Sequence, residues 1–199
     1  MRKANTKNAE EKRYHILRSA LNCFSKIGLQ NATMKDICKE SGMRSGHIYY
    51  YFKSKAEIIE EIYNIGSADM LERIRSMLEE DDIVSAMYEN YYTSEKKRRE
   101  WNITPALRLE LIAETAHNPR FAALYRESEL AIRVEISSAV TRAISEQRLK
   151  SSLSVDHIAN SLLLFWSAFT VLGLSEDASP ESFRDTIRQL LHPRDSVSA

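Results

Sequence analysis

Apolar residues along this 199-residue chain return at intervals of three and four, and nowhere do they alternate over the length of a strand, so the pattern predicts helices throughout. Caps and breakers set their bounds. A first helix is expected near residues 9–27, ended by Gly28, followed by helices at 34–41 and 45–51 and a long one over 55–79. Others are expected at 82–98, 102–116, 119–148, 154–174 and 180–191, with Pro105, Pro119 and Pro180 in first turns, where a missing N–H costs nothing. The expected fold class is all-α with about nine helices.

The stretch 33–55, TMKDICKESGMRSGHIYYYFKSK, is the most informative part. Thr33 is a natural helix cap and Asp36 sits at the third helical position, where a carboxylate favours the positive helix end. Met34, Ile37, Cys38 and Ser41 then form one small or apolar face, leaving Lys35 and Lys39 outside. Gly42 supplies the left-handed turn that ends the helix. Met43 anchors the turn, and the next helix starts at Arg44 or Ser45. At about 100° per residue, Ile48, Phe52 and part of Tyr51 point inward while Gly46, His47, Tyr49 and Tyr50 form the opposite arc. A purely buried aromatic cluster is the competing reading of IYYYF, but three successive tyrosines cannot all face one core. Two short helices about a glycine turn are the layout of a DNA-reading helix-turn-helix.

Charge changes the picture. Lys+Arg and Asp+Glu balance at 28 each, which by itself argues against a polyanionic partner. Residues 1–55, however, hold 12 basic against 4 acidic side chains, and residues 56–199 hold 16 against 24. A basic head joined to an acidic body is a mark of a nucleic-acid-binding module on a different module. Arg2, Lys3 and Lys7 are expected in a solvated, flexible tail that adds phosphate contacts.

The run SGMRSGHIYYYFKSKAEII resembles the recognition helix and fourth-helix start of the TetR/AcrR family of bacterial repressors, and ILRSALNCFSKIGLQNATMKDICKESG, with Phe24, Gly28, Thr33 and Ile37, is similar to that family's first two helices. Arg44 and His47 stand where the family more often has small or hydroxyl residues, so the operator sequence does not carry over. The resemblance implies a three-helix DNA-binding head at 1–55 and a helical effector-binding and dimerisation body at 56–199. It also implies that the position of Lys55 touches the DNA backbone; a cation at a helix start serves helix stability poorly. The expected interface is Thr33, Lys35, Arg44, Ser45, Gly46, His47, Tyr49, Tyr50 and Lys55. Of these, Arg44 suits guanine, His47 or Tyr50 suits base edges, and Tyr49, Thr33 and Lys55 suit phosphates.

In the body, 154–175 is apolar on nearly every side. Ile158, Leu162, Phe165, Phe169 and Leu172 make one stripe, and Leu163, Leu164, Trp166, Ala168 and Val171 fill much of the rest. Such a helix must be covered all round. A central core helix would satisfy that, and so would a partner subunit. The second alternative makes Leu163, Leu164, Ala168 and Val171, with Phe183, Ile187 and Leu191 of the next helix, the seam of a homodimer. The resemblance implies a four-helix bundle across a two-fold axis. A dimer would present two recognition helices to successive major grooves of a palindromic, double-stranded operator.

A small-molecule effector held among the body helices could change the spacing of those helices by binding one conformation better. Candidate pocket residues are Met87, Tyr91, Trp101, Glu110, Phe121, Tyr125, Trp166 and Phe169, each also a reasonable core residue. Glu110 sits among apolar neighbours in LRLELIAE, where a carboxylate needs a partner such as Arg108 or a cationic ligand, unless it faces solvent.

Other chemistry is thin. Cys23 and Cys38 share faces with core residues and lack a CxxC or histidine partners, so they read as small buried groups, with redox sensing a lesser alternative. No phosphate-binding glycine loop, GxSxG elbow or HExxH stands in the sequence, and neither an enzyme nor a cofactor or metal site is expected. The longest apolar run, 162–174, is shorter than the roughly 20 residues that span a bilayer, and no export signal is seen, so a cytoplasmic location is expected. The function expected is a ligand-responsive transcriptional regulator, a repressor by resemblance. The alternative is a helical interaction module whose basic head binds acidic proteins.

Overall fold

The computed structural model describes residues 2–80, 85, 86, 89, 93, 96, 97, 100–147, 149, 151–172, 185, 188 and 189. Seven continuous helices run through them: α1 (Arg2–Ile27), α2 (Met34–Ser41), α3 (Ser45–Tyr51), α4 (Lys55–Glu79), α5 (Pro105–His117), α6 (Pro119–Ser145) and α7 (Val155–Leu172). Among the described residues there is no strand. Seven replace the nine expected because the helices at 82–98 and 180–191 fall mostly outside the described residues. What is described there, Ser85, Ala86, Glu89, Thr93, Lys96 and Lys97 in one and Asp185, Arg188 and Gln189 in the other, is helical.

The bounds of α2, α3 and α4 coincide with those expected. At the start of α2, Thr33 Oγ1 accepts the Asp36 N–H at 3.3 Å while the Asp36 carboxylate accepts the Thr33 N–H at 3.0 Å, a closed capping box. Gly42 ends α2 with φ +67. Ser54 starts α4 by accepting the Glu57 N–H at 3.2 Å. Helix α1 begins at Arg2 instead of near residue 9, because nothing between 2 and 9 breaks a helix; the residues assigned to a flexible tail are helical backbone. Helix α5 starts three residues later than expected, after Asn102 turns the chain at φ 56 and Thr104 accepts the Leu107 N–H. Helix α6 stops at Ser145, just before Gln147 turns at φ 59.

The described chain forms two compact units, residues 1–67 with 96–122 and residues 68–95 with 123–199. This grouping differs from the functional boundary expected at 55/56, since α4 runs through both units and α5 belongs with the head. The head core is Ile16, Leu17, Ala20, Leu21 and Phe24 of α1 closed by Leu29, Ile37, Ile48, Phe52 and Ile58, all buried. In the second unit, Ile74, Ile132, Ile136, Val140, Ile158, Leu162 and Leu163 form a separate core.

Candidate nucleic-acid interface

Helix α3 is seven residues long, too short to hold itself together in water. Its sequence gives it two anchors, Ile48 and Phe52, which are 0% and 2% exposed. With those fixed, the helical period turns the rest outward. Arg44, Ser45, Gly46, His47, Tyr49 and Tyr50 are all exposed, Tyr50 to 73%. Arg44 is the cap residue of α3 with φ −65 and ψ 140, and its side chain makes no capping bond. Gly46 has nothing within 4 Å of where a Cβ would stand, so its bare backbone is open to a ligand's close approach. Tyr50 meets Tyr51 edge to face at 5.1 Å, which steadies the more exposed ring.

Arg13 of α1 fixes the far end of this helix. Its guanidinium lies 4.6 Å from the Phe52 ring centroid, pairs with Glu61 of α4 at 2.8 Å and donates to the Tyr51 carbonyl at 3.4 Å. Helix α2 is held against α1 by Lys26–Glu40 at 2.7 Å and by His15, whose Nε2 lies 2.9 Å from the Ser41 carbonyl oxygen. Lys35 is exposed in the first turn of α2. The surface thus formed carries aromatic faces together with basic groups and hydroxyls, the donors that phosphates and base edges accept from.

Two expected contacts have other engagements. The Thr33 hydroxyl and N–H serve the capping box, and hydrogen bonds from that hydroxyl first, and then from the Thr33 backbone, hold Asp36 below the ordinary carboxylate range. The Lys55 ammonium is turned away from the arc and donates to the carbonyls of Leu29, Gln30 and Ala32 at 2.9, 3.2 and 2.9 Å.

Of the residues expected in an effector pocket, those described fall in both units. Trp101 stacks edge-on against Tyr14 of α1 at 5.8 Å, within the head unit. Glu110 belongs to the same unit, and its Oε2 accepts the Leu29 N–H. Phe121 is buried there as well. Tyr125 is half-buried in the second unit, where burial first and Glu129 second raise its phenol above the ordinary value. Met87 and Tyr91 lie outside the described residues, and Trp166 and Phe169 are placed only as backbone of α7.

Of the dimer residues, Leu163 is buried in its own unit and Leu164 is 71% exposed. Ala168 and Val171 are described only as helix, and Phe183, Ile187 and Leu191 fall outside the described residues. Cys23 is buried, its thiol pushed up by burial and then by Asp36 and Glu40; Cys38 is half-buried. Among the described residues no group of three metal-ligating side chains forms, and no helix is long and apolar enough to cross a membrane.

Sequence reasoning missed Arg13 and the Arg120–Glu60 ion pair of the head. Nothing local marks an arginine in a polar helix as a clamp on a helix 38 residues away.

A family model for bacterial regulatory proteins of the tetR family matches residues 16–62, the span from the second half of α1 through the start of α4. The HTH-type transcriptional regulator UidR of Escherichia coli K12 is 28% identical over 186 residues, 92% of either chain. AcrR of Shigella flexneri is 33% identical over 70 residues, 35% of this chain and 33% of its own. Among solved structures, Salmonella enterica GusR superposes with a TM-score of 0.72 at 24% identity, covering 90% of this chain and 94% of its own, a likeness of fold. The match over the reading head and the alignment with a regulator along nearly the whole length agree with the exposed arc of α3: residues 16–62 are a DNA-binding head of the TetR family, and the chain that carries it is similar along nearly its whole length to a transcriptional regulator.

Proposed function

We propose that the protein is a cytoplasmic repressor that binds a palindromic operator as a homodimer and is released by a small molecule. The observation that carries the DNA reading is the division of α3: Ile48 and Phe52 are buried while Arg44, Ser45, Gly46, His47, Tyr49 and Tyr50 all face out. On this reading Arg44 takes guanine O6 and N7, His47 and Tyr50 reach base edges, and Tyr49, Lys35 and the Thr33 end of α2 lie along phosphates.

Dimerisation is supported by apolar side chains that the second unit leaves uncovered. Leu164 on α7 and Leu130 and Val134 on α6 are 71%, 61% and 56% exposed. A two-fold copy buries them and sets two α3 helices about 34 Å apart, one turn of DNA. The effector is assigned to the second unit, around Tyr125 and the α7 positions of Trp166 and Phe169, and it acts by binding one spacing of the two heads better than the other.

The test is a gel-shift competition with the DNA upstream of the chain's own gene against unrelated DNA. Preference for the upstream DNA at physiological salt is expected; equal competition would point to a basic interaction module. Sedimentation of Leu164→Glu should give monomers that lose operator binding, and a dimer of unchanged affinity would remove Leu164 from the seam.

A further inference from the structure

The segment 28–32 between α1 and α2 is gripped from two sides. From α4, Lys55 donates to three carbonyls, those of Leu29, Gln30 and Ala32. An ammonium has three protons, so this geometry leaves none for a phosphate. From α5, Glu110 accepts the Leu29 N–H, and Glu114 Oε2 accepts from the Gln30 amide Nε2 at 2.6 Å. Both backbone groups of Leu29 are therefore held by full charges, one from each helix. The approach is close: a Cβ built on Gly28, which stands at φ +85, would lie 3.6 and 3.8 Å from the Glu110 carboxylate oxygens. The segment ends at Thr33, the cap of α2, so its position sets where the helix-turn-helix begins.

We propose that Lys55 and Glu110 are positioning residues for operator binding, jointly clamping the α1–α2 segment at Leu29, and that Lys55 makes no phosphate contact. The proposal rests on the DNA-binding reading of the head. It gives α5 a direct hold on the reading head, 81 residues away along the chain. Neither residue touches DNA; both act through the segment that seats α2.

The experiment uses the full chain and the operator duplex, with affinity measured between about 50 and 200 mM salt for wild type, Lys55→Met, Lys55→Arg, Glu110→Ala, Glu110→Gln and the Lys55→Met/Glu110→Ala pair. Loss of a phosphate contact flattens the slope of log affinity against log salt by about 1 per site. Lys55→Met is expected instead to weaken binding about tenfold at every salt concentration with the wild-type slope. Should Lys55→Met fail to fold, Lys55→Arg decides: its planar fork cannot converge on three carbonyls, so it stays weak although its charge is kept. Glu110→Ala is expected to lose about tenfold, as for a hydrogen bond to a charged group, and Glu110→Gln, whose amide oxygen still accepts the Leu29 N–H, to recover most of it.

The double variant should be no weaker than the weaker single, because the two act on one residue. A flattened slope for Lys55→Met, full affinity in Lys55→Arg, or multiplied losses in the double variant would overturn the clamp. A wild-type chain that shows no operator preference would instead overturn the reading beneath it.

Discussion

Replacing Arg13 by alanine removes three contacts at once, two on the end of the reading helix and one to α4 beside it. The guanidinium over Phe52, 4.6 Å from the ring centroid and partly shielded, is worth about 1 kcal/mol. Its ion pair with Glu61 joins side chains 36% and 32% exposed, which limits it to about 0.5 kcal/mol. The hydrogen bond to the Tyr51 carbonyl is long at 3.4 Å and adds at most about 0.5 kcal/mol. The expected loss is therefore about 2 kcal/mol, which for a chain of this size lowers the melting temperature by roughly 4–8 °C. Circular dichroism on heating measures it. Because the same contacts orient α3, operator affinity should fall by about tenfold at temperatures where the variant is still folded. Arg13→Lys keeps the ion pair and loses the planar stacking, so it should lie between. An alanine variant that melts within about 1 °C of wild type and binds the operator undiminished would refute the assignment of Arg13 as the clamp of α3.

Arg44→Ala should cost roughly 1–3 kcal/mol of operator binding and relax preference at one base pair, seen by binding to a panel of single-base operator variants; equal loss on every sequence would make Arg44 a phosphate contact. Gly46→Ala should leave the fold as stable or more so, since space is open there and alanine favours a helix by up to about 1 kcal/mol, yet weaken operator binding where backbone meets DNA. Unchanged affinity in a gel shift would remove that close approach. Gly42→Ala should destabilise by about 1 kcal/mol in urea unfolding, from the left-handed φ alone because no atom lies near the new methyl; an unchanged midpoint would count against it. The lowered pKa of Asp36 contributes stability at neutral pH that disappears as pH falls through the carboxylate's folded value, so an acid titration of Thr33→Ala should lack that part of the transition. Cys23, buried and with its thiol pushed up, should resist alkylation in the native protein and react on unfolding, as mass spectrometry can follow; labelling at the rate of a free thiol would contradict its burial.

What could be read from residues alone was what residues settle locally. The start of α2 lies in Thr33 and Asp36, its end in Gly42, and the start of α4 in the S-x-x-E of Ser54 to Glu57, so those bounds needed no tertiary knowledge. The inward and outward sides of α3 followed from the helical period acting on Ile48 and Phe52. Illegible parts depend on partners far along the chain. Glu110 looked like a pocket carboxylate because its true partner, the Leu29 N–H, has no side chain to advertise it. Lys55 showed a positive charge at a helix start, and only folding reveals that three carbonyls surround it. Arg13 is one basic residue among several on α1, distinguished solely by what it meets.

The two buried anchors of α3 have an evolutionary consequence. The side chains that fasten this seven-residue helix to the rest of the head are chiefly Ile48, Phe52 and the arginine laid across the latter, while those at positions 47, 49 and 50 stand exposed. Recognition and folding are thus written in different letters of the same short word. Substitutions other than proline at positions 46, 47, 49 and 50 should cost little stability, so new target sites come within reach of single mutations, and a library randomised without proline at those positions should remain folded.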